Sequence, residues 1–299
     1  MKTMKFISLL AMVAFTFACS SSNSDDVVTP PTPDEPDKPI VDTKLPADPK
    51  PTQFDNFFKR TMVVNNTGTG CGVCPRIAAS LNNIGDGPDA DQIVSVVAHT
   101  YSKSDPMYNT MATKYKAYCG VSSFPSVNLD LRKTKDATFS EGTPAQILAK
   151  CKALKTKFPA KVGISAAVEF VDGNFLVHTS IKIAADGVYK IGAIVVEDGV
   201  KARQANNGYT GYDFNIHRNA VRGGSPSGNV TGEELGAGTL IKGSIVPKEF
   251  IIPLPAKTKA ENAKIVVYVS TPDTDGGKLY INNVVVCKVG APVAFKYND

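Results

Sequence analysis

Apolar positions divide this chain into stretches of different pattern. Phe6 to Ala18 is a short, mostly apolar run, and residues 20–52 hold almost no large apolar side chains. From residue 53 to 158, continuous apolar runs alternate with helical spacing. Thr61 to Asn65 (TMVVN) and Ile93 to His99 (IVSVVAH) read as strands buried on both faces. Ile77, Ala78, Leu81 and Ile84 fall on one face of a helix over Pro75 to Ile84, which Gly85 to Pro88 break. Pro106 to Tyr118 reads as a second helix stopped by Gly120, and Ser126 to Leu131 as a third strand. Thr143-Pro144-Ala145-Gln146 has the form of a capping box with proline in the first turn. It opens a helix with the apolar stripe Ile147, Leu148, Cys151, Leu154 and Phe158, ended by Pro159. Strands alternating with helices predict an α/β domain over residues 53–158.

After residue 158 the period changes. Lys161 to Val171 and Phe175 to Ile183 are strand-like and meet at Asp172-Gly173-Asn174, a hairpin signal. Val188 to Val196, Thr239 to Ile245, Phe250 to Leu254, Lys264 to Ser270 and Leu279 to Val289 continue the series. Short strands without strong helices predict a β-sandwich over residues 159–299. Gln204 to Gly238 is a long segment rich in Gly, Asn and Ser, and loops of that length are commonly functional.

The N-terminal stretches carry sorting information. Lys2 and Lys5 precede the apolar run, which is shorter than the roughly 20 residues needed to span a bilayer. Ala18 then offers a small residue at a cleavage point, so residues 1–18 read as a signal peptide. Cys19, followed by three serines, resembles the lipidated first residue of a bacterial lipoprotein; an ordinary signal peptide with an incidental cysteine is the alternative. Ser24-Asp25-Asp26 resembles an acidic surface-export tag. Residues 19–52 carry eight prolines and few apolar side chains, which predicts a disordered tether holding the folded part away from a membrane.

Composition narrows the options. The chain has 299 residues and a formal charge of +5, without a basic stripe, so no nucleic-acid partner is expected. Export permits disulfides. Six cysteines are present; with Cys19 lipidated, Cys71, Cys74, Cys119, Cys151 and Cys287 remain, an odd number that cannot all pair within one chain.

The chemistry concentrates at Cys71-Gly72-Val73-Cys74. A CxxC between a strand and a helix, followed some fifty residues later by a loop proline leading into a strand (Ser123-Phe124-Pro125-Ser126), reads as a thioredoxin-like redox site. Placed at the helix N-terminus, Cys71 would ionise more easily and attack a substrate disulfide; Cys74, one turn on, would resolve the mixed disulfide. Pro125 would shape the substrate groove, with Ser123, Phe124 and His99 as further groove candidates. The competing reading of the tetrad is a structural clip. Zinc requires about four ligands, and the other cysteines and the histidines lack that spacing, so no metal or cofactor is expected beyond a redox-active disulfide. Cys151 and Cys287 share the apolar faces of their elements and read as core residues; Cys119 reads as a buried spectator or a third, regulatory thiol. His217, Arg218 and Arg222 form a basic cluster in the long loop, suited to an anion, to the other domain or to solvent.

TGTGCGVCP, VAHTY, GVSSFPSVNLD and IHRNAVRGG together resemble the outer membrane protein 28-related lipoproteins of Bacteroidetes. The resemblance implies a thioredoxin-like domain followed by an immunoglobulin-like sandwich, anchored at the outer membrane, periplasmic or surface-exposed. It leaves the substrate open. Relative to thioredoxin itself, Gly70 stands where a tryptophan precedes the first cysteine, and Asn65 stands where a buried aspartate assists proton transfer. The expected partners are exported protein substrates or a redox partner, the membrane through the lipid anchor, and a second copy through the β-domain. The competing function is surface binding or adhesion without catalysis; a carrier role in nutrient uptake is a third.

Overall fold

The computed structural model describes residues 44–274 and 278–299; the expected signal peptide, Cys19 and most of the tether lie outside them. Strand β1 (Thr61–Thr67) leads through the CxxC turn into helix α1 (Pro75–Asp86), then β2 (Ile93–His99) and α2 (Thr110–Cys119). β3 (Ser126–Leu129), the short β4 (Thr138–Phe139) and α3 (Pro144–Lys157) follow. β1 and β2 run parallel, with Asn65 opposite Val97 and Thr67 opposite His99, while β3 runs antiparallel to β1. Odd-numbered residues of β1, Val63 among them, face α1 and α3, where Ile77, Leu81, Ile84, Ile147, Cys151 and Leu154 close one core. Even-numbered residues, Met62, Val64, Val94 and Val96, face α2 and its Met111, Ala112 and Tyr115. The continuous apolar runs are thus accounted for by burial on both faces.

Residues beyond 158 form a long hairpin, β5 (Val162–Val171) and β6 (Asn174–Ile183), with Asp172 and Gly173 both at positive φ, as a two-residue turn of this kind requires. Then come β7 (Lys190–Glu197), the short pair β8 (Val200–Lys201) and β9 (Ile216–His217), β10 (Ala220–Gly224) and β11 (Glu233–Glu234). β12 (Ile245–Pro253), β13 (Ala263–Pro272) and β14 (Leu279–Lys288) complete the chain. The strand order of the main sheet is β14-β13-β7-β10-β2-β1-β3-β4, with β11 added on β7; β12-β6-β5 form a second sheet. Val162, Phe175 and Val177 of the second sheet pack on Ile191, Val195, Ile265 and Val267 of the first. The architecture is mixed α/β, and one sheet continues across residues 158 and 159 through Ala220 of β10, which lies opposite Val97 of β2.

Several expectations are corrected. Thr239 to Ile245 is not a strand: Leu240 makes one isolated bridge to Gly187, and β12 begins at Ile245. The long Gln204–Gly238 segment contains β9, β10 and β11. α2 begins at Thr110 rather than Pro106, because Asp105 accepts from the Met107 N–H in a turn and Asn109 caps the helix by accepting from the Ala112 N–H at 2.9 Å. β3 stops at Leu129 because Asp130 and Leu131 both take positive φ. The predicted capping box of α3 is present, with Thr143 and Gln146 each accepting from the other's backbone N–H.

The tether was expected to run disordered to residue 52, yet residues 48–53 dock on β6. Lys182 is 1% exposed. Its ammonium reaches Asp48 at 2.5 Å and donates to the carbonyls of Lys50, Pro51 and Gln53. A buried ammonium must find acceptors, and this segment provides them. Lys182→Met is therefore expected to cost roughly 3 kcal/mol, since it strands the Asp48 carboxylate and frees those carbonyls. Urea unfolding checks the loss, and limited proteolysis should show faster cleavage between residues 44 and 53.

Candidate functional site

The site lies at the sheet end where β1 and β2 finish and the antiparallel β3 begins. Cys71 and Cys74 are joined in a disulfide. Cys74 is the N-cap of α1, whose first residue is Pro75, so Cys71 lies one turn before the helix rather than at its terminus as expected. The turn is closed by the Cys71 and Cys74 N–H groups donating to the Gly68 and Cys71 carbonyls. Cys71 is only 3% exposed and Cys74 1%.

A segment from the far half of the chain covers the turn. β8 and β9 form a hairpin, and its connection, residues 202–215, lies against residues 68–72. The Ala205 N–H donates to the Thr69 carbonyl at 2.7 Å and the Asn207 N–H to the Gly72 carbonyl at 2.9 Å. Gln204 Nε2 donates to the carbonyls of Gly68 and Cys71 at 3.2 and 3.0 Å. Gly72 is required here: a Cβ at this position would lie 2.2 Å from Asn207 Oδ1.

On the other side, the Phe124–Pro125 peptide is cis, and Ser126 pairs with Asn66, which sets the proline loop at the same sheet end as the CxxC turn. Tyr101, half-exposed, joins the two. Its ring edge lies 3.3 Å from where a Gly70 Cβ would be and meets the Phe124 ring edge-on at 5.4 Å. Tyr101 thus supplies an aromatic wall beside Gly70. Ser123 is exposed and Phe124 half-buried, with the Lys116 ammonium 5.1 Å from the Phe124 ring.

His99 is not part of this outer surface. It is 1% exposed and faces the opposite side of the turn, where a cavity of about 470 Å³ is lined by Asn65, Thr67, Cys74, His99 and His217. The His99 Nδ1 lies 3.0 Å from Asp105 Oδ2. The same carboxylate accepts the N–H groups of Thr69 at 2.6 Å and Met107 at 2.9 Å. Burial alone would raise the Asp105 carboxyl; the hydrogen bond from His99, its charge and the two backbone donors outweigh it and hold the group well below the usual carboxylate range. His217, on β9, meets His99 edge-on with ring centroids 4.9 Å apart and donates from Nε2 to the Ala202 carbonyl. Burial first, and then the neighbouring His99, push His217 down to about 4.

Of the remaining thiols, Cys151 and Cys287 are buried and Cys119 is half-buried. Burial pushes Cys119 and Cys151 up to about 12 and Cys287 to about 11, with Lys133 opposing the shift at Cys119. None is poised to react. Of the basic cluster, Arg218 pairs with Asp86 of α1 at 2.7 Å and Arg222 with the buried Glu197 at 3.0 Å, so both serve contacts within the fold. Among the described residues no group of His, Cys, Asp and Glu is arranged to hold a metal ion. Sequence reasoning missed Asp105, Tyr101, Gln204 and Asn207. The Asp105-Pro106 turn signal after a strand end was the one available pointer.

Comparison with known proteins adds the family. The family described as outer membrane protein Omp28 matches residues 112–292, more than half of the chain. This chain belongs to the Omp28 family. Family membership places it at the outer membrane; no described helix is long and apolar enough to cross a membrane. The Omp28 match begins within α2 and so excludes Cys71, Cys74 and His99. Among solved structures, HBP35 of Porphyromonas gingivalis is similar, at 16% identity over 81% of each chain with a TM-score of 0.63, a likeness of fold. A domain of the outer membrane lipoprotein Omp28 from the same organism is 21% identical over 44% of this Omp28-family chain and 89% of that domain, with a TM-score of 0.27. No protein of curated function matches.

His217 carries a pH dependence with a definite sign. Its folded-state value, about 4, is below the unfolded value near 6.5, so between these the unfolded chain binds the extra proton. Stability should fall as pH drops from about 6.5 to about 4, by at most about 3 kcal/mol, and His217→Asn should flatten that slope in urea unfolding measured across the window.

Proposed function

We propose that this outer-membrane protein is a lipoprotein that carries out thiol–disulfide exchange on exported proteins through Cys71 and Cys74. In this reading residues 53–158 form a thioredoxin-like part and residues 159–299 an immunoglobulin-like sandwich, with Cys19 as the lipidated residue. The observation that carries the reading is the convergence of the Cys71–Cys74 disulfide and the Phe124–Pro125 loop at one sheet end, bridged by the half-exposed Tyr101. Cys71 attacks a substrate disulfide, Cys74 resolves the mixed disulfide, and the Ser123–Pro125 backbone with Tyr101 and Phe124 holds an extended substrate segment. Because Cys71 is covered, attack requires residues 204–207 to leave residues 68–72; what holds them is a few hydrogen bonds, each with a net strength of about 1 kcal/mol.

The same cover favours a second reading. A disulfide with both sulfurs buried is also what a structural clip requires, and the protein would then be a surface binding lipoprotein without catalysis. Insulin reduction and the reshuffling of scrambled ribonuclease separate the two. The exchange reading expects turnover that Cys71→Ser abolishes. Activity no higher than that of the variant, with a 71–74 bond that glutathione leaves intact, would establish the clip.

A further inference from the structure

The cavity behind the disulfide carries a further inference, which rests on the exchange reading. Asn65 and Thr67 of β1 and Val97 and His99 of β2 are register partners, so their side chains share one sheet face, the face on which α1 lays Cys74. Cys74 must lose a proton before it can attack, because the thiolate is the nucleophile. Its surroundings limit what can take that proton. Asn65, 1% exposed, has no titratable group. Asp86 is held by Arg218 at 2.7 Å and Asp198 by Lys264 at 2.6 Å, on the cavity rim. Lys288 is exposed and cationic. His217 resists protonation until about pH 4. His99 is different. The Asp105 carboxylate fixes its Nδ1 as the donor, and its buried Nε2 has no hydrogen-bond partner among the described residues. An imidazole oriented by a carboxylate, its other nitrogen buried and unpartnered, on a residue that lines the same cavity as Cys74, is a base in search of a proton.

We infer that His99, held in place by Asp105, takes the proton of Cys74 when Cys74 closes the disulfide. The step begins after reduced Cys71 has attacked a substrate disulfide, forming a Cys71–substrate bond and expelling the first substrate thiolate. Cys74 gives its proton across the cavity to His99 Nε2, and its thiolate attacks Cys71 Sγ. The Cys71–Cys74 bond forms as the Cys71–substrate bond breaks, and the second substrate sulfur leaves with the electron pair and is protonated. The cysteine pair is oxidised and the substrate disulfide reduced by two electrons. In the reverse direction His99 returns the proton to Cys74.

Stopped-flow reaction of the dithiothreitol-reduced, desalted full chain with an aromatic disulfide, 5,5′-dithiobis(2-nitrobenzoate), resolves the two steps. With Cys19→Ser and Cys119→Ser in every sample to remove the N-terminal and the half-buried thiols, the first thionitrobenzoate released reports Cys71 and the second reports Cys74. His99→Gln keeps a donor for Asp105 but cannot take a proton. It is expected to slow the second phase about 10²-fold near neutral pH, to abolish the acidic limb of its pH profile, and to leave the first phase unchanged. Should His99→Gln fail to fold, Asp105→Asn, whose single amide oxygen can still accept from the Thr69 N–H while the bond to the Met107 N–H is lost, is expected to move that limb to lower pH. A first phase in the parent with a second-phase profile that neither variant alters overturns the His99 assignment alone. A parent without a first phase overturns the exchange reading and this one with it.

Discussion

The buried Asp105 carboxylate is the interaction on which the site depends. A carboxylate taken from water must be paired and hydrogen-bonded, or it neutralises. Asp105 meets that demand with partners from three places: the Thr69 N–H before the CxxC, His99 at the end of β2, and the Met107 N–H leading to α2. One group therefore sets the height of the CxxC turn over the sheet and the orientation of the imidazole beneath it. Gly68 completes the fit, since a Cβ there would lie 2.3 Å from that of Tyr101. Tyr101 in turn reaches Phe124, so the outer wall of the site is set by the same turn.

The two halves of the chain are joined by the sheet as well as by packing. Val97 donates to the Asn219 carbonyl at 2.9 Å, and β10 carries the ladder on to β7 and β13. One apolar core includes Met62, Val96 and Tyr115 from the first half and Ile194, Val266 and Tyr268 from the second. The far edge is tied back, with the Ile281 N–H donating to the Asp130 carbonyl and Asn283 bonding the carbonyls of Phe58 and Val162. This continuity brings the 202–215 connection over the disulfide and His217 against His99. The segment that shields the cysteines is thus supplied by the β-rich half, where the Omp28 family match lies.

What was legible in the sequence is what short-range physics specifies. The Ile93–His99 strand, the Pro144 helix with its capping box and the Asp172-Gly173 hairpin follow from local pattern and turn chemistry, and each is present. The CxxC and Pro125 were visible because both are local signals. The remainder depends on contacts far apart in sequence. Nothing local distinguishes Ala220 as the partner of Val97, Gln204 as the cover of Cys71, or Lys182 as the anchor of residues 48–53. His99 was singled out for its strand-end position, but its burial and its partner Asp105 emerge only from the folded turn. The expected helix start at Pro106 failed because a side-chain acceptor at Asp105 and a cap at Asn109 offer the backbone a better local arrangement.

The site combines a shielded disulfide, the Tyr101–Phe124 wall and the cis-Pro125 loop on one side and a carboxylate-oriented imidazole on the other. In the proposed exchange the wall and loop hold the substrate segment and the imidazole takes the proton of Cys74. The reduction potential of the Cys71–Cys74 couple, equilibrated against glutathione or dithiothreitol and read by alkylation and mass spectrometry, tests this most directly. Exchange chemistry predicts a value above about −300 mV, in the range of catalytic pairs; a value well below about −300 mV, that of an inert structural bond, would contradict it.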